Sequence, residues 1–379
     1  MISLLIGGDV CPINKNRQLF EHGDEKILFN DLIQDFEKVD YSLINLECPL
    51  IEHASPIEKD GFCFGVPVAS INVLKALGID AFNLANNHIL DHGEKGLRST
   101  ILTCIDANID YFGAGANLHE ANTILVREIE GLLIGMLGIA EHEFSIAGNE
   151  KWGANPIDVI EIVRALKSTQ HDYDFLLVLV HGGREYYPYP SPRLQQLCRF
   201  LVELGAGAVV CQHSHCVGSY EYYQNAPIIY GQGNFIADSV NIKSKSWYEG
   251  ILIHLKIKKN KHCLAEWIPI YQSLDRPGVR RMVGKEAYDL LQGFESRSEQ
   301  IKNNEFVNQK WGEYCQIQRY LYASRLRGHN RLLRGLNSKL HYSDWVYSKT
   351  TTLNQRNVVE CETHREVLET LWRSKEKDF

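Results

Sequence analysis

Asn86, Asn87, His88, Asp91 and His92 fall within one short stretch that closes at Gly93. A buried strand is expected just before it, over residues 79–82. A helix is expected after it, over 96–108, where Leu97, Ile101, Leu102 and Ile105 recur at helical spacing. Amides, imidazoles and a carboxylate between a strand and a helix can be plain turn chemistry. They can also be a binding site, because open α/β folds take ligands beyond the carboxyl ends of their strands. Four other strand ends favour the site. Residues 2–6 lead to Asp9 and Cys11, and residues 41–46 to Asn45 and Glu47; 175–180 lead to His181, and 208–210 to His213 and His215.

Asp9, Asn45, Glu47, Asn87, His88, His181, His213 and His215 exceed what one ion needs and suffice for two divalent ions that share a carboxylate. Carboxylate with imidazole suits Mn, Fe or Zn rather than the closed Cys-rich set of structural zinc. Two cations about 3.5–4 Å apart can polarise an ester oxygen and generate hydroxide at neutral pH. His213 and His215, two apart, can both point inward through a bent loop.

The elements that must position these groups are those of an α/β chain. Helices are expected over residues 27–36, 68–77, 156–167 and 193–204. A hairpin is expected over 123–127 and 132–139, and an antiparallel pair over 250–257 and 263–270 should close a sheet. Pro188, Pro190 and Pro192 exclude helix and central strand, so Tyr186, Tyr187 and Tyr189 belong to an exposed aromatic loop. It could stack on a sugar ring or base, or pack against the C-terminal helices. Beyond about residue 283 strand runs give way to helix formers, including an amphipathic segment over 358–372. Two domains follow: residues 1–280, catalytic, and 281–379, basic and mainly helical. Arg327, Arg331 and Arg334 are expected on one helical face, either solvated or a stripe for a polyanion.

Of the 379 residues, 44% are hydrophobic and 23% charged, which fits a globular protein and excludes a disordered one. The net charge of −7 is too mild to imply a specific nucleic-acid partner. From Arg280 onward there are 18 Lys+Arg against 13 Asp+Glu, so an acidic body carries a basic tail. Ten scattered cysteines without a CxxC pair argue against a disulfide scaffold and for free thiols in a reducing compartment. Neither a signal peptide nor a membrane span is read, and a cytoplasmic location is expected.

The chain resembles the calcineurin-like metallophosphoesterases, and within them the CapA (poly-γ-glutamate capsule synthesis) family. The match rests on Gly8-Asp9, Asn45-Leu46-Glu47, Ala85-Asn86-Asn87-His88 with Asp91 and Gly93, His181 with Glu185-Tyr186, Gln195, Gly205-Ala206, His213-Ser214-His215 and Gly233-Asn234-Phe235, in order across residues 1–280. The resemblance implies a four-layer sandwich, two mixed β-sheets flanked by helices, with an added C-terminal helical region. It implies that Glu47 bridges two metals, with Asp9 and His215 on one and Asn87, His181 and His213 on the other. His88 resembles the family's general acid, oriented by Asp91. The chain departs from the usual phosphoesterase pattern at Cys11, where a histidine is common; Cys11 is either a ligand or, as favoured, a buried thiol. Arg184 and Glu185 form a surface pair, or else Arg184 grips a phosphate oxygen.

The expected function is metal-dependent hydrolysis of a phosphate mono- or diester in capsule or cell-surface polymer metabolism. The substrate is an anionic small molecule or polymer, the nucleophile a metal-activated hydroxide, and His88 the acid. Two alternatives stand beside it: amide cleavage or transfer on a poly-γ-glutamate-like polymer, and a non-catalytic metal-binding component of a capsule-assembly complex.

Overall fold

The N-terminal apolar run forms the strand Ile2–Cys11 at the middle of an eight-stranded mixed sheet. On one side lie Tyr41–Leu46, Ala81–Asn83 and Asp110–Phe112, all parallel to it. On the other side it has two partners in succession. Ile2–Ile6 pair antiparallel with the strand Glu249–Ile257, and Asp9–Cys11 pair parallel with Asn234–Ala237. The handover falls at Gly7 and Gly8, where the register against Tyr41–Leu46 also shifts. A Cβ on Gly8 would lie 2.2 Å from the Gly233 carbonyl oxygen, so only glycine allows this approach. The expected pair Glu249–Ile257 and Cys263–Gln272 does extend the sheet. This is a computed structural model describing residues 1–169, 172–239, 242, 244–260, 262–273 and 276–375, the last three of these as backbone only.

The second sheet has six strands, in the order Tyr220–Tyr223, Ala226–Ile229, Ala208–Gln212, Phe175–His181, Leu132–Ala140 and Leu125–Ile129. Its four inner strands are parallel and its two edges antiparallel, the Leu125–Ile129 edge being the expected hairpin. Alternation along Phe175–His181 divides its side chains. Leu177 and Leu179 join the core shared with Leu4 and Ile6. Leu176, Val178 and Val180 join a second core with Leu166, Leu194 and Leu201 of the helices Val159–Thr169 and Pro192–Glu203. Burial on both faces is why this strand reads as an unbroken apolar run. Gln212 ties the sheets together: its Nε2 donates to the Gly7 carbonyl at 3.2 Å. The architecture is therefore two mixed sheets flanked by helices.

The chain forms two compact units, Met1–Asn308 and Gln309–Phe379. The change of texture near residue 283 marks the start of the helix Gly284–Gln300, which lies within the first unit. Phe294 is fully buried there, 5.0 Å from the Tyr220 ring and 5.2 Å from Trp267.

Several expectations need correction. The helix expected over 27–36 is broken into Glu25–Phe29, a 3₁₀ turn Asn30–Leu32 and Ile33–Phe36, with Asn30 at φ +48°. The helix Gly93–Ala107 exists, but its buried face is Leu97, Thr100, Cys104 and Ala107, while Leu102 and Ile105 are exposed. Arg327 lies in the turn after the helix Asn304–Leu326, off the helix Arg331–Leu340 that carries Arg331 and Arg334. The final helix is interrupted at Cys361, giving Lys349–Glu360 and Glu362–Lys375.

Candidate metal centre

Strand ends from both sheets meet at one place. Asp9 accepts from Asn45 Nδ2 at 2.7 Å and from the His213 backbone N–H at 3.1 Å. His181 leaves the second sheet with Nε2 3.0 Å from Asn87 Oδ1 and 3.4 Å from Glu47 Oε1. His215 Nε2 lies 3.9 Å from the same Glu47 oxygen, and its Nδ1 lies 3.5 Å from Asp9. The His213 ring stands 4.8 Å from that of His181 and 5.8 Å from that of His215. Asp9, Glu47, Asn87, His181, His213 and His215 are thus brought together, and all six are buried.

The bend between the two histidines is visible in the backbone. His213 has φ +88° and His215 φ +51°, left-handed values that cost a residue with a Cβ about 1–3 kcal/mol each. The bend brings ligand atoms of Glu47, His213 and His215 within 4.8 Å of one another. Among the described residues, His213 Nδ1 is buried with no hydrogen-bond partner, and Glu47 Oε1 has no approach shorter than the 3.4 Å one from His181 Nε2. Such an orphan costs about 1–3 kcal/mol, and more for a charged group. Against a net stability of about 5–15 kcal/mol, strain and orphan together are a large debit. Divalent ions would offset it. Donor atoms about 2.0–2.2 Å from a shared ion lie about 3–3.5 Å apart, and the 3.0 and 3.4 Å spacings around His181 Nε2 agree. The donor set fits such ions.

Electrostatics points the same way. Burial, then the Glu47 charge, pushes the Asp9 carboxyl up to about 6. Burial would raise Glu47 too, but His215 and His181 outweigh it and hold this carboxyl well below the usual range. Burial and the neighbouring His181 and His215 keep the His213 imidazole well below its ordinary value, hence neutral and able to donate a lone pair. For His215 burial is outweighed by Glu47 and Asp9, which raise it.

The surrounding groups fix the orientation of these side chains. Asn87 Nδ2 donates to Glu143 at 3.1 Å, which turns Oδ1 toward His181. Asn234 Oδ1 lies 2.9 Å from His215 Nδ1, and the Trp247 ring packs 4.7 Å from His215. Asn45 is a tie on the floor of the site, bonded to Asp9 and receiving Asn83 and Asn86. Cys11 is buried, and its hydrogen bond with Cys48, followed by burial, pushes the thiol well above its ordinary range. Arg184 and Glu185 are half-buried; Arg184 acts on Glu141, and Glu185 on His215.

His88 is only partly exposed, and its Nδ1 lies 2.7 Å from Asp91 Oδ2. The same carboxylate accepts from the Phe64 backbone N–H at 2.6 Å and pairs with Lys59. Phe64 packs 4.5 Å from the imidazole. Sequence reasoning missed Lys59, Phe64, Glu143 and Trp247, which sit in loops or a short helix without a periodic signal. His92, in the same stretch as His88, is buried and accepts from the Ser55 N–H at 2.7 Å. The tyrosine loop divides: Tyr186 is exposed, Tyr187 is buried, and Tyr189 bonds Gln300 at 2.8 Å.

Residues 3–239 match the family described as "Bacterial capsule synthesis protein PGA_cap". The "Capsule biosynthesis protein CapA" of Bacillus anthracis is 27% identical over 305 residues, covering 75% of this chain and 73% of the relative. The "PGA biosynthesis protein CapA" of Bacillus subtilis is 30% identical over 275 residues, covering 71% of each. Among solved structures, a hypothetical protein from Thermus thermophilus aligns with a TM-score of 0.45 at 14% identity, covering 74% of this chain and all of that one. A 5'-nucleotidase precursor from the same organism aligns at 0.42 and 10% identity, covering 78% and 58%. The matched segment contains the six candidate ligands Asp9, Glu47, Asn87, His181, His213 and His215, and the chain belongs to the bacterial capsule synthesis family PGA_cap.

Proposed function

We propose that the protein is a dinuclear metal-dependent hydrolase acting on a phosphate mono- or diester in capsule or cell-surface polymer metabolism. The observation that carries this is the buried cluster of Asp9, Glu47, Asn87, His181, His213 and His215, in which His213 Nδ1 has no partner among the described residues, beside a separately held His88. When bound, two divalent ions (Mn, Fe or Zn) supply Lewis acidity and a hydroxide at neutral pH. Glu47 would be shared between the two positions; Asp9 and His215 would serve one, and Asn87, His181 and His213 the other. His88 has its Nδ1–H held by Asp91, so as the imidazolium it would give its Nε2 proton to a leaving oxygen and be left neutral.

A second reading has its own support. The names of the Bacillus relatives refer to capsule and PGA biosynthesis, which favours an amide of a poly-γ-glutamate-like polymer as the bond attacked. One experiment separates the two. The purified chain is loaded with Mn, Fe or Zn, analysed for metal, and assayed on bis(p-nitrophenyl) phosphate and on poly-γ-glutamate. Near-stoichiometric metal with ester hydrolysis lost in Glu47→Gln supports the phosphoesterase. Chain shortening of the polyglutamate without ester hydrolysis replaces it with the second reading. Absence of bound metal in every preparation rejects both.

A further inference from the structure

The helix Arg331–Leu340 is well delimited, with Asn330 capping its start by accepting from the Leu333 N–H at 3.0 Å and His341 closing it in a left-handed conformation. It is pinned along one edge only. Asn337, fully buried, donates to Ser324 Oγ at 2.8 Å and accepts from the Ser343 N–H at 3.0 Å. The neighbouring arc, about 100° wide at 100° per residue, carries Leu332, Leu333, Leu336 and Leu340, which are 84%, 41%, 46% and 54% exposed. Trp345, just beyond, is 76% exposed. A face built of four leucines, with an indole close by in the chain, is not what a solvated helix presents.

Charge indicates what covers it. Lys339 borders the leucine arc, and Arg331 and Arg334 lie beyond it. Residues 309–348 hold seven Lys+Arg against two Asp+Glu. A second copy seated face to face would bring the same cations together. An anionic bilayer complements both features at once, because leucines enter the acyl boundary while flanking cations meet phosphate headgroups. Tryptophan favours that same boundary. No described helix is long and apolar enough to cross a membrane, so the contact is one of lying on the surface. We propose that Arg331–Leu340, with Trp345, docks the chain peripherally on an anionic lipid surface.

The test uses the full chain and co-sedimentation with vesicles of phosphatidylcholine alone or with about 30% phosphatidylglycerol, at low and high salt. Binding is expected only to the anionic vesicles and should weaken as salt rises. The double substitution Leu332→Gln with Leu336→Gln should lower partitioning at least about tenfold. Lys339→Gln should lower it about fivefold. These positions are exposed, so the circular dichroism and melting temperature of each variant should match those of the parent. Three results overturn the proposal: no binding to either vesicle, binding indifferent to both sets of substitutions, or a concentration-dependent dimer that the leucine variant abolishes without any vesicle binding.

Discussion

Asp91 holds His88 by Nδ1 at 2.7 Å while its other oxygen pairs with Lys59. The contact fixes the orientation of the ring, so that in the imidazolium form Nε2–H is the proton turned away from the carboxylate. If Nε2 protonates a leaving oxygen, His88→Ala should retain metal and lose about 10²–10⁴ in kcat on a substrate with a poor leaving group. The loss should shrink on an activated aryl phosphate. His88→Asn serves as the polar control, and an unchanged kcat in both variants would assign the acid elsewhere, Glu185 being the nearest alternative.

Lys59 should matter although no ligand role falls to it. Its side chain is almost wholly buried against Asp91, and removing one partner of a buried pair costs about 3–5 kcal/mol. Asp91 keeps the Phe64 N–H and His88, so Lys59→Met is expected at the lower end, near 3 kcal/mol by urea unfolding. A variant as stable as the parent would show that the pair contributes nothing.

The Cys11 thiol is held protonated by its bond with Cys48 and by burial. Cys11→Ser should purify with unaltered metal content and cost about 1 kcal/mol in stability. A preparation with half its metal missing would instead make the sulfur a ligand.

Truncation should distinguish two end points. The helix Gly284–Gln300 buries Phe294, and Arg297 donates to the Gly218 carbonyl at 2.6 Å and to that of Val217 at 3.0 Å, just after His215. A chain ending at residue 308 should elute as a compact species and bind metal; one ending at residue 280 should aggregate. Equal behaviour of the two in gel filtration and metal analysis would show that this helix does not support the site.

Much of the centre was legible because ligand chemistry is local in sequence. Asp9, Glu47, His181, His213 and His215 each follow an apolar run, and a parallel strand announces itself by such a run. Less was legible where tertiary contacts decide. In Gly93–Ala107 the helical period was readable, yet Thr100 faces inward to bond the Leu50 N–H at 2.8 Å while Ile105 stays exposed. Lys59 lies in a loop of mixed charge, and only the fold reveals that Asp91 waits for it. The burial of His92 likewise depends on the loop around Ser55, which only the fold brings to it.

The position of the first strand bears on when the proposed metal site can form. Ile2 pairs with Ile257, and Asp9 sits opposite Asn234. This strand therefore waits, with its flank open, for partners made more than two hundred residues later. Such non-local pairing is slow to form and cannot precede synthesis of its partner. A half-translated chain holds Asp9 and Glu47 without the strand that seats Asn234 against His215. Any metal bound at this site would thus be taken up by the finished fold rather than during translation.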